Sequence, residues 1–148
     1  MSKRVICRVG DIIAIPVNEG AFALAAVTYV SKYFKNCIAV GIFPNLIQDI
    51  SAPVVMPNRF ELYPLFTGKQ AVAAAIWPRV AHLPLPSPYD TPPEFVAADE
   101  IYKGDTPLRI ATPDDLKSVP KLLAYGCTAV ESKLKRHFNA QMFQEQTP

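Results

Sequence analysis

The two histidines of the chain, His82 and His137, are the first candidates for acid–base chemistry near neutral pH. A hydrolase of the nucleophile–base type needs a serine, cysteine or threonine next to a histidine that a third group holds in place. His82 lies in an apolar, strand-like stretch, and His137 follows Lys and Arg in the basic run 133–137. Each histidine is better explained as a hydrogen-bonded or solvated side chain than as a base. An enzyme that pairs His82 with a carboxylate such as Asp99 or Glu61 is the least favoured of three hypotheses for the function of the protein.

Paired carboxylates occur at Asp99-Glu100 and at Asp114-Asp115. Adjacent acids diverge on a strand, and at the start of a helix they favour the positive end of the dipole, so capping explains the second pair better than catalysis does. The chain contains no GxGxxG, GxxxxGK[ST] or GxSxG motif, and neither histidine has a carboxylate or cysteine at a chelating interval. We therefore expect a protein that is not an enzyme, with no catalytic residues, no cofactor and no metal.

The composition is that of one soluble folded domain. The chain has 148 residues, of which 50% are hydrophobic and 19% charged, enough for one core but not for two. Fifteen basic and 13 acidic residues are scattered along it, which argues against a nucleic-acid partner because such binders concentrate basic charge. No apolar run has the length of a signal-peptide core or a membrane span, so we expect a cytoplasmic protein.

The three cysteines are too widely spaced for a disulfide framework or a CxxC motif. They are Cys7, Cys37 and Cys127. An odd number at such intervals is typical of small buried hydrophobic residues rather than of functional thiols.

The first half of the chain has the pattern of an antiparallel sheet. Residues 11–17 and 21–33 flank Asn18-Glu19-Gly20, a turn in which Gly can adopt positive φ, so they predict a β-hairpin. Residues 36–43, which end at Pro44, predict a third strand and hence a meander. Further strands are predicted at 59–66, 80–85, 95–97, 101–103 and 107–110. The predicted fold is α+β, with an antiparallel, partly barrel-like sheet that begins with this hairpin.

One short middle helix and one or two C-terminal helices complete the prediction. The alanine-rich run 71–77 has high helix propensity and must stop at Pro78, with Trp77 as a core anchor. Thr112-Pro113-Asp114-Asp115 marks a helix start, and a second helix from about Gly126 carries an apolar stripe. The stripe consists of Val130, Leu134 and Phe138. We expect a single domain over 1–138 and a frayed tail over 139–148.

A stiff proline-rich loop at 84–93 is the first candidate for a recognition surface, because such loops present side chains at little entropic cost. Tyr89 and Asp90 lie in this loop, and Asp99 and Glu100 follow it. We take these four residues as candidate contacts for a partner protein. Trp77 could form an aromatic platform instead, but a core position is the better interpretation.

Two stretches resemble a known family. Gly10-Asp11-Ile12-Ile13-Ala14-Ile15-Pro16, followed by a turn and Gly20, is similar to the "GD-apolar-apolar-x-Ile-Pro … G" start of immunity protein family twenty-six, from bacterial polymorphic toxin systems. Trp77-Pro78 followed by Leu83-Pro84-Leu85 resembles the family's "W-x-x-x-G-x-x-Pro-Leu" stretch, which precedes an apolar-aromatic residue such as Phe95; Ala81 stands where the family has Gly. The resemblance spans about residues 9–138.

The resemblance implies a cytosolic, non-enzymatic immunity protein. Such a protein binds one cognate toxin domain and blocks its active site or its access to substrate, in the cell that makes the toxin. The alternative is a small-ligand or peptide-binding module, in which the alanine-lined face of the hairpin would form a groove. The alanines concerned are Ala21, Ala23, Ala25 and Ala26. The oligomeric state is left open by both interpretations.

Overall fold

The computed structural model describes residues 6–34, 36–74 and 76–146, with side chains as far as residue 139. The described chain is an α+β protein, as predicted, with two antiparallel sheets and three helices. The strands are β1 (Asp11–Asn18), β2 (Ala21–Val30), β3 (Cys37–Ile47), β4 (Leu62–Gly68), β5 (Arg79–His82), β6 (Glu94–Ala97), β7 (Glu100–Lys103) and β8 (Thr106–Ile110), and the helices are α1 (Gln70–Ala73), α2 (Pro113–Ser118) and α3 (Cys127–Gln146).

A large sheet is formed by the first five strands in the order β4-β3-β2-β1-β5. β4 and β5 form its two edges, so the sheet is not closed into a barrel and the predicted barrel-like character does not reach closure. The predicted hairpin and meander are confirmed: Asn18 pairs with Ala21 across a two-residue turn, and Gly20 has φ +75°. Only a residue without a Cβ adopts that φ at no steric cost, which explains the glycine.

Both faces of the large sheet are buried, so successive side chains of β1 enter different cores. Ile13 and Ile15 join the helix-side core, which includes Trp77 and the predicted α3 stripe. Ile12 and Ala14 join the loop-side core, which the loops around β4 and β5 cover. In the loop-side core the ring of Phe60 lies against Gly41, where an added Cβ would meet the ring at 2.2 Å.

The third strand runs past Pro44, where the sequence pattern predicted its end. β4 pairs with β3 only as far as Ile42↔Leu62, and the pairing of β3 with β2 shifts between Ile42 and Leu46. Pro44 therefore lies at an irregular position where one side of β3 has no partner strand and a missing N–H donor costs little.

The middle helix is a single turn, shorter than the predicted run 71–77. It ends early because the backbone N–H groups of Ile76 and Trp77 both donate to the carbonyl of Ala71 and turn the chain inward. Trp77 is fully buried, which confirms the core position, and its Nε1–H donates to a carboxylate oxygen of Glu131 on α3 at 3.0 Å.

The two C-terminal helices begin as predicted. α2 starts with a capping box in which the Thr112 hydroxyl accepts from the Asp115 backbone N–H and the Asp115 carboxylate accepts from the Thr112 backbone N–H. α3 buries the predicted stripe of Val130, Leu134 and Phe138 against the large sheet and extends as far as Gln146. Residues 147–148 and the side chains of residues 140–146 lie outside the described part, so the frayed tail stays a prediction.

The small sheet, in the order β6-β7-β8, is joined to the large one by an aromatic cluster and a carboxylate. Phe95 is fully buried, with ring centroids 5.0 Å from Phe66 and 6.0 Å from Tyr29. Asp105, in the turn between β7 and β8, accepts hydrogen bonds from the Tyr29 hydroxyl, from the Ser31 hydroxyl at 2.6 Å and from the Lys32 backbone N–H at 2.8 Å. One side chain thus holds the small sheet to the end of β2.

Replacing Asp105 with Asn should weaken this connection. Desolvation raises the pKa of Asp105, but the hydrogen bonds from Ser31 and Tyr29 outweigh it and hold the pKa below its usual value. We expect a loss of about 1.5–3 kcal/mol in the free energy of unfolding at neutral pH, the usual contribution of a hydrogen bond to a charged group.

The pH dependence of that loss follows from the direction of the shift. A carboxyl whose folded pKa is depressed stabilises the fold above its unfolded pKa of about 3.9 and loses that contribution as the pH falls through the folded value. Urea titrations of wild-type and Asp105→Asn protein should therefore differ fully above about pH 4 and converge below it. A difference that stayed constant to lower pH would contradict the assignment.

Candidate functional site

Of the predicted partner contacts, the two in the proline-rich loop lie apart from the other two. Tyr89 is half-buried, with its ring centroid 4.4 Å from that of Phe60 and 4.8 Å from that of Tyr63. Its hydroxyl accepts from the Phe60 backbone N–H at 3.4 Å. The tyrosine therefore fixes the loop to the loop-side core. Of these two residues, Asp90 is the exposed one.

Asp99 and Glu100 lie at the β6–β7 turn, beside the edge strand β8. The carbonyl of Asp99, which is exposed, accepts from the Ala111 backbone N–H at 2.8 Å. Glu100 is half-buried and pairs with Ile110 in the β7–β8 ladder. These two acids border a part of the surface that the sequence did not identify as a site.

An exposed apolar surface follows them in the chain. Four large apolar side chains between residues 108 and 123 are 48–76% exposed, out of nine such side chains in the described part of the chain. They are Leu108 and Ile110 on β8, Leu116 on α2 and Leu123 in the loop before α3. We call this set the β8–α2 surface. A contiguous exposed apolar patch marks an interaction site, and Leu116 and Leu123 of this set line one cavity together.

An open cavity of about 370 Å³ lies beside α2 at this surface. It is lined by Val96, Ala97, Ala98, Leu116, Lys121, Leu122 and Leu123. Small apolar side chains form much of its wall, and Lys121 is the charged residue of the lining. A cavity of this kind can accept an apolar side chain of a partner.

The free edge of β8 adds backbone hydrogen-bonding groups. The Ala111 backbone N–H donates to the Asp99 carbonyl, and Ile110 is the next residue along the ladder, opposite Glu100. Because hydrogen-bonded and non-hydrogen-bonded pairs alternate in an antiparallel ladder, the N–H and C=O of Ile110 point away from β7. An edge with such groups can pair with an extended segment of another chain.

The sequence pattern could have found this surface only indirectly. The pattern of residues 107–110 predicts a strand. Because an apolar residue in a strand is normally assigned to a core, the pattern does not indicate that Leu108 and Ile110 are exposed. The available signal is the short length of β8 and of α2, which have five and six residues. Elements this short offer little area with which to cover the apolar side chains of their neighbours.

The histidines do not combine with the carboxylates proposed from the sequence. His82 Nδ1 lies 2.8 Å from an oxygen of Asp11, not of Asp99 or Glu61. The position of Asp11 at the start of the predicted hairpin is typical of a turn or edge carboxylate, yet Asp11 is fully buried because β5 covers it. Its second oxygen accepts from the Arg8 backbone N–H at 2.9 Å and lies 3.5 Å from Arg79 Nη1.

This Asp11 cluster organises the start of the large sheet. The His82 side chain is 50% exposed and that of Arg79 37% exposed, so the buried carboxylate contacts two side chains that remain partly in solvent. Gly10, with φ +95°, precedes Asp11, and a Cβ there would lie 2.9 Å from the Leu83 carbonyl oxygen. The glycine therefore allows β5 to approach closely enough for His82 to reach Asp11.

The other predicted features are placed as follows. Glu61 contacts His137, with 3.0 Å between a carboxylate oxygen and Nε2. The prediction of an alanine-lined groove, on which the alternative function depended, is wrong. Ala23, Ala25 and Ala26 are fully buried in the two cores, so other parts of the chain already cover them.

Among the described residues no group of three or more His, Cys, Asp or Glu side chains is arranged to hold a metal ion. In the same part of the chain no helix combines the length and apolarity that crossing a membrane requires.

The cysteines are unpaired thiols in apolar surroundings. Cys37 is buried, and Cys7 and Cys127 are half-buried. Burial, reinforced by the charge of Asp11, raises the pKa of Cys7 to about 11, and burial raises the pKa of Cys37 to about 11. Both thiols are therefore protonated at neutral pH, which agrees with the predicted role of small hydrophobic residues.

No protein-family model matches the chain, and no curated protein or solved structure matches it significantly. The structure defines the class of the protein as α+β, with an open five-stranded sheet, a small appended sheet and exposed apolar side chains on and after the last strand of the appended sheet.

Replacing Asp11 with Ala should destabilise the fold. The change removes the acceptor for the Arg8 backbone N–H and the buried partner of His82 and Arg79. Because those two side chains are 50% and 37% exposed and stay hydrated, we expect a loss of about 1–3 kcal/mol in the free energy of unfolding, the usual cost of leaving a donor without its acceptor. Urea unfolding measures the loss. Asp49→Ala is the control, because Asp49 is an exposed carboxylate that accepts hydrogen bonds from the backbone N–H and the hydroxyl of the nearby Ser51. Equal losses in both variants would contradict a central role for Asp11.

Alkylation rates should distinguish Cys7 and Cys37 from ordinary thiols. With a pKa of about 11, each thiol should react with iodoacetamide at a rate that still rises with pH beyond pH 9, since only the thiolate attacks. Peptide mapping by mass spectrometry after timed quenching follows each site, with urea-unfolded protein as the control. A rate for Cys7 or Cys37 in the folded protein that levels off near pH 9 would contradict the raised pKa values.

Proposed function

We propose that the protein is a cytoplasmic immunity protein of a bacterial polymorphic toxin system. It binds one cognate toxin domain and neutralises it by covering the active site or the access of substrate. The observation that carries the proposal is the β8–α2 surface, on which four large apolar side chains are 48–76% exposed. The resemblance of the segment 10–20 to immunity protein family twenty-six supplies the kind of partner.

The energetics of this surface suit protein binding. Burying a large aliphatic side chain contributes about 1.5–3 kcal/mol, and interfaces draw most of their affinity from a few such anchors. Ile110, at 76% exposed, has the most area still to bury of the four. The cavity beside Leu116 offers a complementary depression for an anchor from the toxin. Both features are at the surface without any rearrangement of the fold.

Charged residues around the apolar part would form the rim. Asp99 and Glu100 lie on one side of β8, and Lys121 lines the cavity on the α2 side. Rim charges of mixed sign contribute to partner selection and to the rate of association more than to affinity. Asp99 and Glu100 thus keep their proposed role as partner contacts, whereas Tyr89 acts by fixing the loop next to Asp90.

The second candidate is a peptide-binding module without catalytic activity. It is favoured by the free edge of β8, to which an extended peptide could add as a further strand. The two candidates differ in what they bind with high affinity: a folded toxin domain in one case, and a short extended peptide alone in the other.

Co-expression tests the proposed function directly. The proposal predicts that a neighbouring gene encodes a large secreted protein with a variable C-terminal domain. Cells that express that domain should survive when they also express this protein. Failure of soluble wild-type protein to rescue them would contradict the immunity function. Binding of isolated peptides with the same affinity as the folded domain would favour the second candidate.

A charge placed on β8 tests the surface. Ile110→Asp should raise the Kd for the toxin domain at least about tenfold, because it puts an unpaired carboxylate where an apolar side chain is buried on binding. Val55→Asp is the matched control, since Val55 is 82% exposed in a loop outside the β8–α2 surface. Calorimetry gives both Kd values. Unchanged binding by Ile110→Asp, or an equal loss in Val55→Asp, would exclude this surface while leaving the rescue result valid.

A further inference from the structure

A second open cavity, of about 280 Å³, lies between α3 and the start of β4. It is lined by Leu62, Lys133, Arg136 and His137. Three of the four lining residues carry a basic group, in a chain whose charge is otherwise scattered. None of them belongs to the β8–α2 surface, so the cavity is a separate feature of the molecule.

The helix itself brings these basic groups together. Residues three and four apart lie on the same face of an α-helix, so Lys133, Arg136 and His137 face one direction. Leu134 and Phe138, on the neighbouring face, are buried in the helix-side core and hold α3 in place. The basic face is therefore fixed relative to β4, and Leu62 provides an apolar wall opposite it.

The contacts of Lys133 and His137 orient these groups. Lys133 Nζ lies 5.5 Å from the centroid of the Tyr125 ring, a cation–π contact that leaves the ammonium hydrogens able to donate. His137 Nε2 lies 3.0 Å from a carboxylate oxygen of Glu61. Glu61 does not line the cavity, but this contact with His137 brings its carboxylate close to the lining. The negative charge of that carboxylate opposes the binding of an anion.

We propose that this cavity binds the phosphoryl group of a small phosphate compound. Arg136 supplies a planar set of donors that matches oxyanion geometry, and Lys133 supplies a point charge next to it. Arg136 and Lys133 each have a basic group in the lining, and Glu61 contributes one carboxylate through its contact with His137. A volume of about 280 Å³ is at the lower limit of ligand pockets and fits a small ligand rather than a polymer.

Leu62 makes a phosphate monoester a better ligand than free phosphate, because the apolar wall can contact an organic substituent. The binding does not depend on the proposed toxin neutralisation, since it uses other residues. The Glu61 carboxylate should lower the affinity for the anionic ligand by repulsion, so its removal should make the ligand bind more tightly.

The proposal is tested with inorganic phosphate, phenyl phosphate and benzoate as probes at constant ionic strength. Backbone amide chemical shifts of the full chain follow binding. We expect saturable shifts centred on Leu62 and on residues 133–137 of α3, with phenyl phosphate binding more tightly than benzoate. Benzoate binding as tightly as phenyl phosphate would overturn the phosphoryl assignment. Phenyl phosphate binding more tightly than inorganic phosphate identifies a monoester, and equal binding identifies free phosphate.

Charge variants separate a built site from general attraction. Arg136→Gln should weaken phenyl phosphate binding about tenfold or more, because it removes the planar donor set, and Glu61→Gln should strengthen it. Lys135→Gln changes the net charge by the same amount as Arg136→Gln, but Lys135 lines a different cavity. Equal weakening in the Lys135 and Arg136 variants would overturn the proposal, as would shifts that do not saturate. Unchanged thermal unfolding confirms that each variant is folded.

Discussion

The buried carboxylate of Asp11 is the contact on which the arrangement of the large sheet depends. A carboxylate that is fully removed from water is stable only when its oxygens are paired, and here a backbone N–H, His82 and Arg79 provide the partners. Both of those side chains belong to β5, so the requirement to pair one charge brings β5 to the edge of β1. The close approach of the chain at Gly10 makes that pairing possible.

The rest of the fold is built outward from this sheet. α3 and Trp77 cover one face and the loops around β4 and β5 cover the other, which leaves the small sheet attached through Phe95 and the carboxylate of Asp105. Because the small sheet has only three short strands and α2 has six residues, its surface cannot be covered completely. Four of the nine exposed large apolar side chains in the described part of the chain therefore lie there. The surface proposed for a partner protein is thus separate from the cores on the two faces of the large sheet.

The two proposed sites differ in chemistry because different elements build them. The β8–α2 surface combines exposed apolar side chains of β8, α2 and the loop before α3 with the free edge of β8, which suits a protein partner. The cavity at Leu62 is lined by basic groups from one face of α3, which suits a small anion. α3 serves both stability and binding, because its apolar stripe and its basic face lie side by side on the same helix.

The sequence by itself determined the features that depend on neighbours in the chain. The hairpin at Gly20, the capping box at Thr112, the stripe of α3 and the buried Trp77 each follow from local turn chemistry, capping or periodicity, and so does the α+β class. The tertiary structure alone decided which distant groups meet. His82 and Asp11 are 71 residues apart and were not paired by any local pattern, and Glu61 meets His137 instead of His82. The same holds for exposure. Tyr89 is packed into a core and Ile110 is left in solvent, the opposite of what a loop aromatic and a strand isoleucine favour, because burial depends on whether another element has enough surface to cover a side chain.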